Sequence, residues 1–234
     1  MDFGACFYIC LLRCNRPTPN TQLSVDKNKD SYFYGQKIKV EMKFDTYTLR
    51  EHSIIIPTPQ TFSDVVELIS SDHYRKCERK LNGGGVIIRL LKGDVLAWFR
   101  ACQIKTVFSP LCKRIYHTLC KRHQIDLPLS VKIGYGFYIG HSMCMVINDT
   151  TIIGNNVNVS QFLNIGSNSG SAAFICDGVY IAPMVCLVGN VVIGNNSIVG
   201  AGAVVTKDIP SQCTVAGVPA KKINDNFTKG WHFY

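Results

Sequence analysis

Between Leu127 and Val205 the chain holds one histidine, His141, in a stretch otherwise made of aliphatic, glycine and polar residues. A neutral imidazole can take the proton from a hydroxyl as that oxygen attacks a carbonyl, which is the step that makes a poor nucleophile competent near neutral pH. The frame around His141 is regular. Aliphatic residues recur every six positions at Leu127, Ile133 and Ile139, then Ile147, Ile153, Val159 and Ile165, then Ile175, Ile181, Leu187, Ile193, Val199 and Val205. The period breaks twice. Ile139 to Ile147 takes eight residues and contains His141, and Ile165 to Ile175 takes ten, so that residues 166–174 form a small protruding loop. Irregularities that project from a rigid scaffold are where sites are commonly built, and an imidazole in such a bulge points to acyl transfer.

A strand buries alternate residues and a helix every third or fourth, so a six-residue period fits neither. It fits a chain that turns a corner every six residues, three flat faces to a coil, with each aliphatic side chain in a central stack. The predicted architecture is mainly β, a parallel β-helix with hexapeptide repeats over residues 126–223. Gly154-Asn155-Asn156, Gly189-Asn190 and Gly194-Asn195-Asn196 follow the anchors and suit corners that need positive φ. Each buried anchor contributes about 1.5–3 kcal/mol.

The elements that must position this coil lie upstream. Residues 61–125 read as helical: Ser63 is a plausible N-cap for an apolar run through Val65, Val66, Leu68 and Ile69, and Gly83-Gly84-Gly85 breaks the chain. A second segment runs from Val86 to Val107, interrupted at Gly93. Ser109-Pro110 opens a last helix with Leu111, Ile115, Tyr116 and Leu119 on one face, ending near His123. Residues 1–60 read as a poorly defined extension with a possible strand at Lys37–Phe44, and 224–234 as a tail. The apolar run from Phe3 to Leu12 is too short to span a bilayer, and no basic residue precedes it as a secretory signal requires.

The formal charge of the 234 residues is +9. Basic residues concentrate outside the coils, at Arg75, Lys76, Arg79, Lys80, Arg89, Lys92, Arg100, Lys105, Lys113, Arg114, Lys121 and Arg122. They read first as a solvated helical face and second as a surface for phosphates or anionic lipid, a route to peripheral membrane association. No nucleic-acid reading motif accompanies the charge, so no nucleic-acid partner is expected. The eleven cysteines show no Cys-x-x-Cys and no zinc spacing with histidine, so no metal site is expected, and a reducing cytoplasm is the simplest setting.

The stretch Ile125 to Asp149, IDLPLSVKIGYGFYIGHSMCMVIND, resembles the first coils of the serine acetyltransferase family of hexapeptide-repeat proteins. The resemblance covers roughly residues 61–223, closely in the coils and loosely in the helices. The C-terminal IGNNSIVGAGAVVTKDIPSQCTVAGVPAKKI is shared more widely among hexapeptide acetyltransferases, including galactoside and xenobiotic types, whose catalytic histidine comes from the protruding loop; residues 166–174 contain none. The resemblance implies a left-handed β-helix, acetyl-CoA as co-substrate, a small-molecule hydroxyl acceptor, and a homotrimer with active sites between subunits. It implies His141 as general base and Asp126, fifteen residues earlier, as the carboxylate that orients the ring. One coil of three hexapeptides separates the two approximately, which is compatible with a hydrogen-bonded dyad. Asp149 matches the family's acidic substrate-binding position. Positions matching the coenzyme A groove are Gly166, Ser167, Ala182, Pro183, Gly200, Ala201, Thr206 and Lys207, with Gly217 to Lys221 near the nucleotide end.

Two departures bear on the acceptor. Ser171 and Ala172 stand where the family has an Arg-His pair that holds the amino acid, and Gly140 replaces the Asp before the active histidine. A free serine carboxylate then lacks its charged partner, and related proteins with this short loop resemble members of polysaccharide-assembly clusters, where a sugar hydroxyl is the acceptor. A non-catalytic β-helix module is a further alternative. A zinc hydratase on the same solenoid needs three converging histidines, and the repeat region holds one.

Overall fold

The computed structural model describes residues 42–77, 80–168 and 170–225. It opens with an antiparallel hairpin, β1 (Lys43–Leu49) and β2 (His52–Thr58). Four helices follow: α1 (Phe62–Cys77), α2 (Gly83–Leu91), α3 (Val95–Ala101) and α4 (Ser109–His123). Fifteen short strands, all parallel but the last, wind the remainder of the described residues into a β-solenoid with three faces. The first face is β4 (Lys132–Ile133), β7 (Ile152–Ile153), β10 (Phe174–Ile175) and β13 (Val192–Ile193). The second comprises β5 (Tyr138–Ile139), β8 (Asn158–Val159), β11 (Tyr180–Ile181), β14 (Ile198–Val199), β16 (Thr214–Ala216) and the antiparallel β17 (Lys221–Asn224). The third is β3 (Ile125–Asp126), β6 (Met145–Ile147), β9 (Asn164–Gly166), β12 (Cys186–Val188) and β15 (Val204–Val205).

All thirteen anchors are buried, as the six-residue period requires. Each is accompanied by a second inward residue two positions earlier, including Val131, Phe137, Met145, Val157, Leu163, Val179 and Val185, so every side of a coil plugs the core twice. Small or hydroxylic residues take this role at Thr151, Ala173, Ser197 and Ala203. Their variety hides the second stack from a search for aliphatic repeats. The buried Ser197 hydroxyl donates to Gly194 O at 2.7 Å, which satisfies it inside an apolar column. A further ladder runs along the corner between the first and second faces, where Tyr135 N donates to Asn155 Oδ1, Asn155 N to Asp177 Oδ1 and Asp177 N to Asn195 Oδ1.

The hairpin is a departure from the expected extension over residues 1–60, because its strand begins at Lys43 and pairs back through Thr58. Its Ile54 and Ile56 pack on Phe174, Cys176 and Val192, which project outward from the first face and would otherwise be wet. Asn155 Nδ2 also donates to Ile55 O. The expected strand at Lys37–Phe44 falls largely outside the described residues.

Several helical details differ from the sequence reading. Thr61, not Ser63, caps α1: its Oγ1 accepts from Asp64 N, and Asp64 Oδ2 accepts in return from Thr61 N and Gln60 N. The three glycines begin α2 instead of breaking the chain, because Asn82 Oδ1 accepts from Gly85 N at 2.8 Å and supplies the cap. On α4 the buried residues are Tyr116 and Cys120, whereas Leu111 is 57% exposed.

The largest difference concerns the basic helical surface, since two of its arginines are interior clips. Arg100 is fully buried and forms an ion pair with Asp72 (Nε to Oδ2, 2.9 Å) while donating to Ile133 O and Gly134 O of the first coil. Asp72 Oδ1 also accepts from Phe137 N at 2.8 Å. Arg75, 4% exposed, donates to Asn158 Oδ1 and Asn156 O of the next coil. Arg89 is half-buried and engages Asp94 and His73. A guanidinium offers five donors in a rigid fork, which suits it to satisfy several carbonyls at a corner where no ladder partner exists. Removing one partner of the Arg100–Asp72 pair leaves an uncompensated buried charge, so Arg100→Ala should destabilise the fold by about 3–5 kcal/mol. The exposed Lys92→Ala should stay within about 0.5 kcal/mol in the same urea titrations.

Candidate functional site

Residues Gly140 to Cys144 make the corner between β5 and β6. In place of a tight six-residue turn, the two extra residues form an arch with His141 (φ +53°) and Cys144 (φ +51°) both left-handed. The arch is tied at its ends: Gly140 N donates to Val159 O at 2.7 Å, Cys144 N to His123 O and Met145 N to Gln124 O. The end of α4 is therefore part of the site's frame. His141 itself is exposed, and its ring has no hydrogen-bond partner among the described residues.

The third face, which this corner borders, differs from the other two. Outward residues of the second face, Tyr138, Asn158, Tyr180, Ile198 and Thr214, are all buried, and the hairpin covers the first. On the third face Asp126, Val146 and Asn164 are exposed. Along the corner beside it stand Met143 (47% exposed), Phe162 (49%) and Met184 (64%), the last two with positive φ. Large apolar residues in left-handed turns are costly on two counts. Sequence reasoning missed this ridge, although the signal is visible: Phe and Met occupy corners where Gly, Asn or Asp is the rule.

The register clarifies the relation of Asp126 to His141. Because of the arch, the first coil takes twenty residues, with Ile125 opposite Met145 and Asp126 opposite Val146. Asp126 thus projects from the face one coil before His141 and five residues farther along the strand direction. It lines a cleft of about 350 Å³ with His117, Lys121, Gln124 and Val146, and no hydrogen bond or ion pair joins it to His141 among the described residues. Asp149 lies at the opposite end of β6, in the corner toward β7, where its carbonyl accepts from Ser130 Oγ and its carboxylate stands exposed.

The positions expected to hold coenzyme A divide into two lines that flank the same open face. Ala182, Pro183, Gly200 and Ala201 stack in the His141 corner, linked by Ala182 N to Val199 O and Gly202 N to Pro183 O, with Gly217 one coil beyond. Gly166, Ser167, Thr206 and Lys207 run along the far edge, beside Asp149. A Cβ at Gly166 would meet nothing within 4 Å, so that glycine leaves open space at the surface. Lys207 and Lys221 are exposed and form no ion pair with a described carboxylate. The protruding loop is short and uncharged; Ser167 Oγ donates to Ser171 O, and Ala172 N to Thr150 Oγ1. Among the described residues no three His, Cys, Asp or Glu side chains cluster as a metal site, and no helix is long and apolar enough to cross a membrane.

The family described as bacterial transferase hexapeptide (six repeats) matches residues 172–207. The chain is similar to the serine acetyltransferases. The chain is 31% identical over 135 residues to serine acetyltransferase 3, mitochondrial, of Arabidopsis thaliana, covering 53% of this chain and 34% of that protein. It is 33% identical over 102 residues to the serine acetyltransferase of Escherichia coli strain K12, covering 42% and 37%. The chain therefore spans little more than a third of the length of these curated relatives. Among solved structures, Neisseria gonorrhoeae serine acetyltransferase in complex with serine superposes with a TM-score of 0.57 at 26% identity, over 68% of this chain and 69% of that one.

The left-handed backbone at position 141 separates function from folding. A non-glycine residue there carries a penalty of about 1–2 kcal/mol, partly offset in glycine by the greater entropy of its unfolded chain. His141→Gly should therefore be neutral or stabilising by up to about 1 kcal/mol in denaturant titrations. A loss of about 2 kcal/mol or more would make His141 a structural residue.

Proposed function

We propose that the protein is an acetyl-CoA-dependent O-acetyltransferase that moves an acetyl group to the hydroxyl of L-serine or a related small acceptor in a ternary complex. The observation that carries this reading is an unpartnered imidazole held on an arch at the edge of the uncovered solenoid face, in a chain similar to serine acetyltransferases. His141 takes the acceptor's proton as the oxygen attacks the thioester carbonyl, and returns it to the departing thiolate. Asp126, exposed on the same face, would be the carboxylate that orients the ring and stabilises its charged form in the ternary complex.

The two lines of small residues support a shared site. A cyclic assembly is heterologous, so one edge of a copy meets the other edge of its neighbour. In a homotrimer the His141 corner, with Ala182, Pro183, Gly200, Ala201 and Gly217, would face a neighbour's edge with Gly166, Ser167, Thr206, Lys207 and Asp149. Acetyl-CoA would lie in that groove, its phosphates toward Lys207 and Lys221. Burial of Met143, Phe162 and Met184 in the contact accounts for their exposure in one chain.

A sugar hydroxyl is the second acceptor reading, favoured by the absence of any cation from residues 166–174 to meet an amino acid's carboxylate. A thiol-release screen of L-serine against amino, nucleotide and neutral sugars chooses between them. His141→Asn should lower kcat by about 10²–10⁴-fold with acetyl-CoA affinity retained. If Asp126 acts through the ring, Asp126→Asn should alter the pH profile of kcat and add little to the loss in His141→Asn. An unchanged kcat in His141→Asn would remove the imidazole from the mechanism. Separately, Phe162→Asp with Met184→Asp should shift the sedimentation coefficient toward that of one chain.

A further inference from the structure

A second pocket lies away from the His141 corner, where the hairpin, the segment 102–113 and the first coil meet. It measures about 390 Å³ and is lined by Tyr47, Pro57, Ser109 and three lysines, Lys105, Lys113 and Lys132, with no Asp or Glu in its wall. The three ammonium groups come from a loop, a helix and a solenoid strand. None of them has an ion-pair partner among the described residues, in contrast to Arg50 with Asp208, Arg89 with Asp94 and Arg100 with Asp72. Ser109 and Pro110 open α4 there without a side-chain cap, so the positive end of that helix adds to the same field. The nearest carboxylate, Asp45, stands behind the wall and accepts from Thr58 Oγ1 at 2.7 Å, so three lysines around one pocket leave an excess of positive charge that fits a phosphate group.

The segment that supplies Lys105 and Lys113 also carries the most exposed large apolar side chain of the described residues, Val107 at 93%, with Phe108 at 70% and Leu111 at 57% beside it in sequence. A soluble phosphate ester small enough for the pocket would leave these wet. A ligand with a phosphate head and an apolar body would not. We propose that this pocket takes the phosphate of an anionic lipid headgroup, with Val107 and Phe108 entering the acyl boundary, so that the protein docks on a membrane surface through the 105–113 segment. The attraction expected of a net charge of +9 brings the protein to such a surface, and the pocket fixes which side faces it.

The test is co-sedimentation of the full chain with phosphatidylcholine vesicles, with and without a one-third share of phosphatidylglycerol, at about 0.1 M salt. Binding should be at least about tenfold stronger on the anionic vesicles. It should fall about tenfold in Lys105→Glu with Lys113→Glu, in Lys132→Glu, and in Val107→Asp with Phe108→Asp, at unchanged melting temperature. Lys76→Glu, which makes the same two-unit charge change as Lys132→Glu but away from the pocket, should stay within about twofold. Equal losses in Lys76→Glu and Lys132→Glu would reduce the effect to net charge and overturn the proposal. So would the absence of anionic-vesicle binding, or saturable binding of inorganic phosphate by a protein that ignores vesicles. None of these readouts depends on acetyl transfer, so the docking surface and the catalytic reading stand or fall separately.

Discussion

The structure depends on one geometric constraint: every coil must return its inward side chains directly over those of the coil before. With two inward positions on each side of a triangular coil, a residue added within a side would throw every later anchor out of the core. Extra residues are therefore accommodated only at corners, by extrusion. The two added between Ile139 and Ile147 become the arch that presents His141, and the four added between Ile165 and Ile175 become the short polar loop. The register closes across each, with Ile133 opposite Ile153 over the arch and Ile153 opposite Ile175 over the loop. The period that holds the fold together is thus also what locates the candidate site.

Closing the triangle leaves three outer faces, and the chain treats them differently. A hairpin covers the first with Ile54 and Ile56. The helices are pinned to the corner between the first and second by Arg100, Asp72 and Arg75, whose forked donors and acceptors meet backbone groups of the first two coils. The third face remains uncovered, bordered on one edge by the imidazole and an apolar ridge and on the other by Asp149 and small residues. Two dissimilar edges suit a heterologous contact, in which the proposed site would be completed by another copy.

The solenoid was legible because burial every sixth residue has no competing explanation, and His141 because the period fails around it. The second core stack was not, since Thr151, Ala173 and Ser197 break any aliphatic rule while filling narrower parts of the triangle. The hairpin escaped because its apolar residues answer to Phe174 and Val192, more than a hundred residues away. Arg75 and Arg100 read as surface charge because their counterparts are backbone carbonyls, the Asn158 side chain and one aspartate, none of which composition can pair with them. The arch lengthens the coil that joins Asp126 to His141 and sets the carboxylate opposite Val146, a register that the fifteen-residue spacing alone does not give.

The central claim is that the imidazole of His141 faces the thioester in a groove shared by two copies. Its most direct test is a structure of the full chain with coenzyme A bound. The coenzyme A sulfur should lie within about 4 Å of the His141 ring, with the pantetheine arm between the 182–201 corner of one copy and the 166–207 edge of its neighbour. Coenzyme A bound within a single chain, or with its sulfur remote from His141, would contradict it.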